Sequence, residues 1–240
     1  MMKLYRKNEV LFSVLLIVLY VVVSGSLRSN GDDSPAMTVW FLALSAGLAL
    51  FVWRAGLAEK YGLVGWSKNS RQMLWFIPLW IVATGNLWGG IEPKYPMPGL
   101  AFAMVSFALV GFVEELLFRG FLFKAMLANG STRVAIIVSA VTFGAGHIVN
   151  LLTGHAAFET IVQVVFAIAM GFIFTLVYYK GGSLWPCIIA HSMIDVFSTL
   201  SARNEIMDWI FLGSAFVIAV AYSTYLSRVE TPAINTFAQE

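Results

Sequence analysis

A chain of 240 residues, 59% of them hydrophobic and only 12% charged, has too little charge to cover the surface of a soluble domain and too much apolar content for a disordered one. At roughly 20 apolar residues per membrane helix, this length holds at most about eight or nine spans and leaves no room for a sizeable soluble domain. A net charge of +2 gives no reason to expect a nucleic-acid partner, and the single cysteine, Cys187, excludes an intrachain disulfide and any CxxC metal knuckle.

Taken in chain order, the hydrophobic runs separate at clusters of charge, Gly, Pro and Asn. They predict an all-α polytopic membrane bundle of about eight transmembrane helices, at 10–27, 37–57, 72–91, 99–127, 132–152, 158–179, 183–201 and 207–227. The breakers sit between them, as in Arg28-Ser-Asn-Gly-Asp-Asp-Ser-Pro35, Glu92-Pro-Lys-Tyr-Pro-Met-Pro-Gly99 and Lys180-Gly-Gly182. No internal repeat divides the chain, so residues 1–240 read as a single integral membrane domain. The segment 1–26 also has features of a cleaved signal peptide: a basic start, an apolar stretch and then Val23-Ser-Gly-Ser26. The stretch is long for a signal and no small-x-small site ends it, so a retained first helix is expected.

Basic residues set the expected orientation. Lys3, Arg6 and Lys7, then Arg54, Lys60, Lys68 and Arg71, then Lys124 and Arg133, then Lys180 and Arg228 fall on one side of such a bundle. The alternate loops hold only Arg28, Lys94 and Arg203, each with acidic company. Basic loops stay inside, which places both termini in the cytoplasm and the protein, if prokaryotic, in the plasma membrane.

The apolar cores of five runs, the first, second, third, sixth and eighth, contain no Asp, Glu, Lys, Arg or His. The deep ionisable residues fall on the other three: Glu114, Glu115 and Arg119 on the fourth, His147 on the fifth, His191 and Asp195 on the seventh. An ionised side chain at mid-bilayer costs from about 3 to more than 10 kcal/mol, so such groups face a bundle interior or a wet cavity and pair with one another. One shared polar site is expected. Glu115 and Arg119 are four apart on one helix face, a spacing that suits an internal ion pair. Glu114 lies about 100° round the helix from Glu115 and is turned toward a cavity with no partner on its own helix. His191 and Asp195 also share a face, as do Phe143 and His147, with Phe143 read as a wall residue. His155, in Thr153-Gly-His-Ala156, reads as a solvated loop residue, and Cys187 as a buried structural thiol.

No His-Glu-x-x-His zinc helix, Gly-x-Ser-x-Gly elbow or Walker loop is present, and Asp195 alone cannot make a two-aspartate membrane protease. Glu114 with two histidines supports hydrolysis in either of two ways. Glu114 and His147 hold and deprotonate a water while His191 and Asp195 stabilise the oxyanion, or Glu114, His147 and His191 bind a zinc ion whose water becomes the nucleophile.

Three motifs carry a resemblance. Glu114-Glu-Leu-Leu-Phe-Arg119 resembles EExxxR, Phe143-Gly-Ala-Gly-His147 resembles FxxxH, and His191-Ser-Met-Ile-Asp195 resembles HxxxN/D. In this order they look like the CPBP family of type II CAAX prenyl endopeptidases, bacteriocin-immunity and abortive-infection proteins, over a core of residues 95–200. The resemblance implies an intramembrane endopeptidase of glutamate type. Glu114 matches the water-activating base, His147 its water-holding partner, His191 and Asp195 the oxyanion pair, and Glu115, Arg119 and Phe143 supporting positions. It implies no resident metal as the favoured scheme, with zinc the alternative; Asp195, where many prenyl-protease members carry Asn, would be the better metal ligand. The implied substrate is a hydrophobic, lipidated or C-terminal-tail peptide met among membrane lipids. A proton-coupled transporter and a non-catalytic immunity module are the competing readings. Inverted repeats, which would favour a transporter, are absent.

Overall fold

The computed structural model describes residues 1–153 and 156–230, without the side chains of 152 and 153. His155, read above as solvated, lies outside the described residues. The helices are α1 (Met2–Lys7), α2 (Glu9–Leu27), α3 (Pro35–Arg54), α4 (Ile77–Ala83), α5 (Gly99–Glu115), α6 (Lys124–Asn129), α7 (Thr132–Gly146), α8 (Ala157–Gly181), α9 (Trp185–Ser198) and α10 (Glu205–Arg228). A π-helical segment, Leu116–Phe123, joins α5 to α6 without a break. Among the described residues there is no β-strand, only an isolated bridge between Ile91 and Ser201.

Local chemistry starts these helices where the loops end. The side chains of Asn8, Ser34, Ser131 and Asn204 accept the backbone N–H of Leu11, Met37, Val134 and Met207, which satisfies one exposed donor at the start of α2, α3, α7 and α10. Pro35 follows Ser34 at the first helical position, where its missing N–H matters least.

Six helical stretches are long and apolar enough to cross a bilayer: Glu9–Asn30, Pro35–Arg54, Gly99–Asn129, Thr132–Leu151, Ala157–Gly181 and Glu205–Arg228. The chain is a multi-pass membrane protein, and Val18, Val22, Val217 and Val220 keep large apolar surfaces on its outside. Two of the eight expected runs form shorter elements. The run 72–91 is not one helix: Leu74, Trp75 and Phe76 take φ of 54°, 52° and 60°, α4 then begins with Pro78 in its first turn, and it ends at Ala83. A short 3-10 turn, Gly85–Leu87, follows. Gly85 lies so close to Phe211 of α10 that a Cβ there would come within 2.0 Å of the ring, and Asn86 Nδ2 donates to the Ile194 carbonyl (2.7 Å). The run 183–201 forms α9, whose 14 residues rise about 21 Å, short of a hydrocarbon core about 30 Å thick.

The stretch from α5 through the π-helical segment forms the centre of the bundle. It packs on α3 and α9 through α5, and on α2 and α7 through the π-helical segment, while α8 covers α7 and α10 covers α8. Gly111 sets the α5–α9 crossing. A Cβ there would lie 2.3 Å from Ser192 Oγ and 2.6 Å from Ser192 N, so only glycine lets the two backbones come this close. Ser192 Oγ donates to the Ala108 carbonyl (2.8 Å) and fastens the crossing from the other side. Gly144 does the same for α7 against α8, where its Cβ would meet the Val164 carbonyl at 2.9 Å.

At the end of the bundle that holds the amino terminus, Lys60 Nζ lies 2.6 and 2.8 Å from the Glu9 carboxylate oxygens and 2.8 Å from Tyr5 Oη. Burial pulls the Lys60 ammonium down, but the Glu9 carboxylate and Tyr5 hydroxyl more than offset it and hold the group above its ordinary value.

Candidate active site

The site begins at the Gly111 crossing. One turn further along α5, Glu114 and Glu115 follow each other with helical dihedrals, so their side chains diverge by about 100°. Glu114 enters a cavity of about 430 Å³ that Phe143, His147, His191 and Asp195 also line. Glu115 and Arg119 do not reach it. They lie behind His191, both fully buried. The structure therefore brings five of the sequence-predicted site residues to one cavity and places the other two in its supporting wall.

The wall is an ion pair. Arg119 Nη1 donates to Glu115 Oε1 (2.9 Å), across the four-residue spacing expected from sequence. The guanidinium carbon stands 4.1 Å from the centre of the Phe143 ring and 5.3 Å from that of Phe174, so its charge is held between aromatic faces. Glu115 Oε2 and Arg119 Nε and Nη2 have no hydrogen-bond partner among the described residues. Glu115 also reaches across to α9, where the same Oε1 is 2.9 Å from His191 Nδ1. A carboxylate oxygen only accepts, so Nδ1 carries the hydrogen. Sequence reasoning missed this contact, because residues 76 apart share no spacing signal.

With Nδ1 engaged at the back, His191 presents Nε2 to the cavity. Glu114 Oε2 and Asp195 Oδ2 each lie 3.5 Å from it. The imidazole stacks on Phe174 (23° between planes, centroids 5.5 Å apart) and meets Phe143 edge-on at 5.5 Å, which fixes its plane. Phe143 is thus a wall residue, as expected, and it serves three neighbours: Arg119, His191 and His147, whose ring it meets edge-on at 5.4 Å. His147 Nδ1 lies 3.2 Å from the Phe143 carbonyl at the last turn of α7. That carbonyl can only accept, so Nδ1 again carries the hydrogen and Nε2 is left as an acceptor.

A second residue escaped sequence reasoning. Tyr20 of α2 hydrogen-bonds through its hydroxyl to Glu114 Oε1 inside the cavity. A phenol in an apolar run carries no charge signal. Toward one end of the bundle the cavity has a polar rim. Arg28 Nε contacts Asp32 Oδ1 (3.0 Å), its Nη1 donates to Asn150 Oδ1 (2.8 Å), and Asn150 Nδ2 donates to Gln163 Oε1 (2.6 Å). Cys187 is buried away from this space, with its thiol donating to the Phe174 carbonyl (3.3 Å).

Among the described residues no three His, Cys, Asp or Glu side chains form a group that could hold a metal ion. The arrangement can instead take a proton at Glu114 Oε2, accept one at His147 Nε2, and donate from His191 Nε2 when the imidazole is doubly protonated.

Comparison with known proteins returned one family and one curated relative. Residues 96–197 match the model of the type II CAAX prenyl endopeptidase Rce1-like family. That stretch runs from just before α5 to the last turn of α9; it holds Glu114 and Asp195 and everything between, and leaves out Tyr20. Over 204 residues the chain is 26% identical to the Bacillus subtilis (strain 168) protein named "Putative membrane peptidase YdiL", covering 82% of this chain and 70% of that protein. No solved structure matches the chain.

Proposed function

Since the chain belongs to the CPBP family of membrane proteases, the family of the Rce1-like CAAX endopeptidases, we propose that it is a glutamate-type intramembrane endopeptidase. It hydrolyses a peptide bond near a membrane-embedded or lipidated terminus of a peptide or protein. The observation that supports this reading is the convergence of Glu114, His147, His191 and Asp195, from three helices, on one cavity.

Glu114 Oε2 takes a proton from a water that His147 Nε2 holds, and the water oxygen bonds to the scissile carbonyl carbon. The carbonyl oxygen becomes an oxyanion. His191 Nε2–H donates to it, while the Asp195 carboxylate beside the ring supports the imidazolium. Glu114 then passes its proton to the amide nitrogen, the carbon–nitrogen bond breaks, and the amine leaves. Glu115 and Arg119 act from behind. They anchor Nδ1, so that Nε2 points at the reacting atoms. Asp195 accepts rather than donates while ionised, which suits it to orient His191 and leaves His191 as the oxyanion donor.

The scheme uses no metal. All eight apolar runs are embedded in the plasma membrane in this reading, with both termini cytoplasmic. The test compares, by mass spectrometry, membrane and released peptides from cells carrying the wild type with those carrying Glu114→Gln. A precursor should accumulate in the variant; identical peptide profiles at equal expression would sink the protease reading. Metal analysis of the purified protein, with a chelator titration of the cleavage so identified, tests the metal-free scheme. Loss of cleavage on chelation and its recovery on adding zinc would overturn it.

A further inference from the structure

We propose that Tyr20 is a positioning residue of the active site: its hydroxyl holds one oxygen of the Glu114 carboxylate so that the other faces His191 and the reacting water. This rests on the reading of Glu114 as the base.

The two oxygens of Glu114 have different surroundings. Oε1 accepts the Tyr20 hydroxyl, and Oε2 stands 3.5 Å from His191 Nε2. Glu114 has no partner on its own helix, unlike Glu115, which Arg119 holds from four residues away. A carboxylate on a flexible stem with no fixed partner samples several rotamers, and a base displaced by about 1 Å can lose roughly 100-fold in rate. Tyr20 supplies the missing constraint. It has two side-chain torsions against three for a glutamate, it is 7% exposed, and its ring packs against Phe41 of α3 at 6.3 Å.

The contact also gives the first long helix a function. Residues 96–197, which carry the family match, contain every motif but not the partner of the base. α2 packs on the π-helical segment that directly follows the Glu pair, where Phe12 meets Phe121 edge-on at 5.6 Å. That packing sets the height of Tyr20 against Glu114. The cavity is therefore completed by an element 94 residues away in sequence from the base it serves.

Tyr20→Phe removes the hydroxyl and leaves the ring. The full-length protein, purified in detergent and labelled with 13C-carboxyl glutamate, gives an infrared spectrum in which the Glu114 band is identified by its loss in Glu114→Gln. In Tyr20→Phe that band should shift while the melting temperature stays within a few degrees of wild type. An unmoved band overturns the proposal, and so does a band that moves only together with a collapse in melting temperature. Tyr20→3-fluorotyrosine keeps a donor, a more acidic one, and should not give the band its Tyr20→Phe position.

Kinetics are read on the peptide that accumulates in Glu114→Gln cells. Tyr20→Phe should lower kcat roughly 10- to 100-fold with KM within about twofold. Added to Glu114→Gln it should change the residual rate less than about twofold, because a residue that acts by placing the Glu114 base has no base left to place. Full multiplicative loss in the double variant overturns the positioning role. If instead no peptide accumulates in Glu114→Gln cells, the base reading fails by itself, and the infrared result still reports whether Tyr20 holds Glu114.

Discussion

Glu114 and Glu115 are neighbours in the chain, yet they occupy two different media. Glu114 shares a cavity with His147, His191 and Asp195 and bonds to a tyrosine from a distant helix. Glu115 is sealed against Arg119 and the back of His191. Both touch the same imidazole, one on each nitrogen. A step of about 100° round one helix thus separates a carboxylate that faces a cavity from one that is sealed behind its wall. Carboxylates of equal intrinsic chemistry are given different work by what surrounds them.

The comparison can be broken at either carboxylate. Glu114→Gln should reduce cleavage by about 10²- to 10⁴-fold with little change in unfolding. A variant that cleaves normally removes the cavity side from the chemistry. Arg119→Ala should act on the sealed side. It leaves Glu115 buried without its ion-pair partner and should destabilise the protein by about 3–5 kcal/mol, read by denaturant unfolding in micelles. Wild-type stability there would mean the pair is dispensable packing. Gly111→Ala forces α5 from α9 and should cost about 1–3 kcal/mol, with a fall in rate as Glu114 draws away from His191. Unchanged melting and rate together would show that the crossing tolerates the extra atom.

Smaller effects sharpen the contrast. Asp195→Asn keeps size and removes charge, so it should lower cleavage by about tenfold or less while the fold stays intact. A complete loss would give Asp195 more than an orienting role. Far from both carboxylates, Lys60→Met should cost about 1 kcal/mol or less, because the Lys60–Glu9 pair is partly exposed. Lys60 is held above its ordinary value in the folded protein, so the stability from this pair is present below the unfolded lysine pKa of about 10.4 and is lost as pH rises through the folded value. Melting curves at pH 8 and pH 11 should therefore differ more for the wild type than for the variant.

Much of this contrast was legible before any coordinates. The Glu115–Arg119 pair follows from four-residue spacing, and the placing of six ionisable residues on three runs follows from the energetic penalty of charge in lipid. What was not legible shares one cause: it depends on contacts between elements without charge. Tyr20 sits in a run of valines and leucines that looks like a plain anchor. The run 72–91 is apolar enough to read as a span, but the positive φ at Leu74, Trp75 and Phe76 and the fit of Gly85 under Phe211 are set by packing rather than by composition. The π-helical segment after Glu115 is likewise invisible in a stretch rich in leucine and phenylalanine, whose helical propensity is ordinary.

The same-helix pairing of Glu115 and Arg119 also bears on how the protein is made. The helix that carries both charges contains its own neutralising partner, so the pair is complete once four residues beyond Glu115 have been synthesised. His191 follows 76 residues after Glu115, on a helix that enters later. Each unpaired charge would add about 2.5–3.5 kcal/mol to membrane insertion. With Glu115 and Arg119 already paired, the helix enters lipid without those two penalties, and the late-arriving histidine then docks onto an anchor that is already in place.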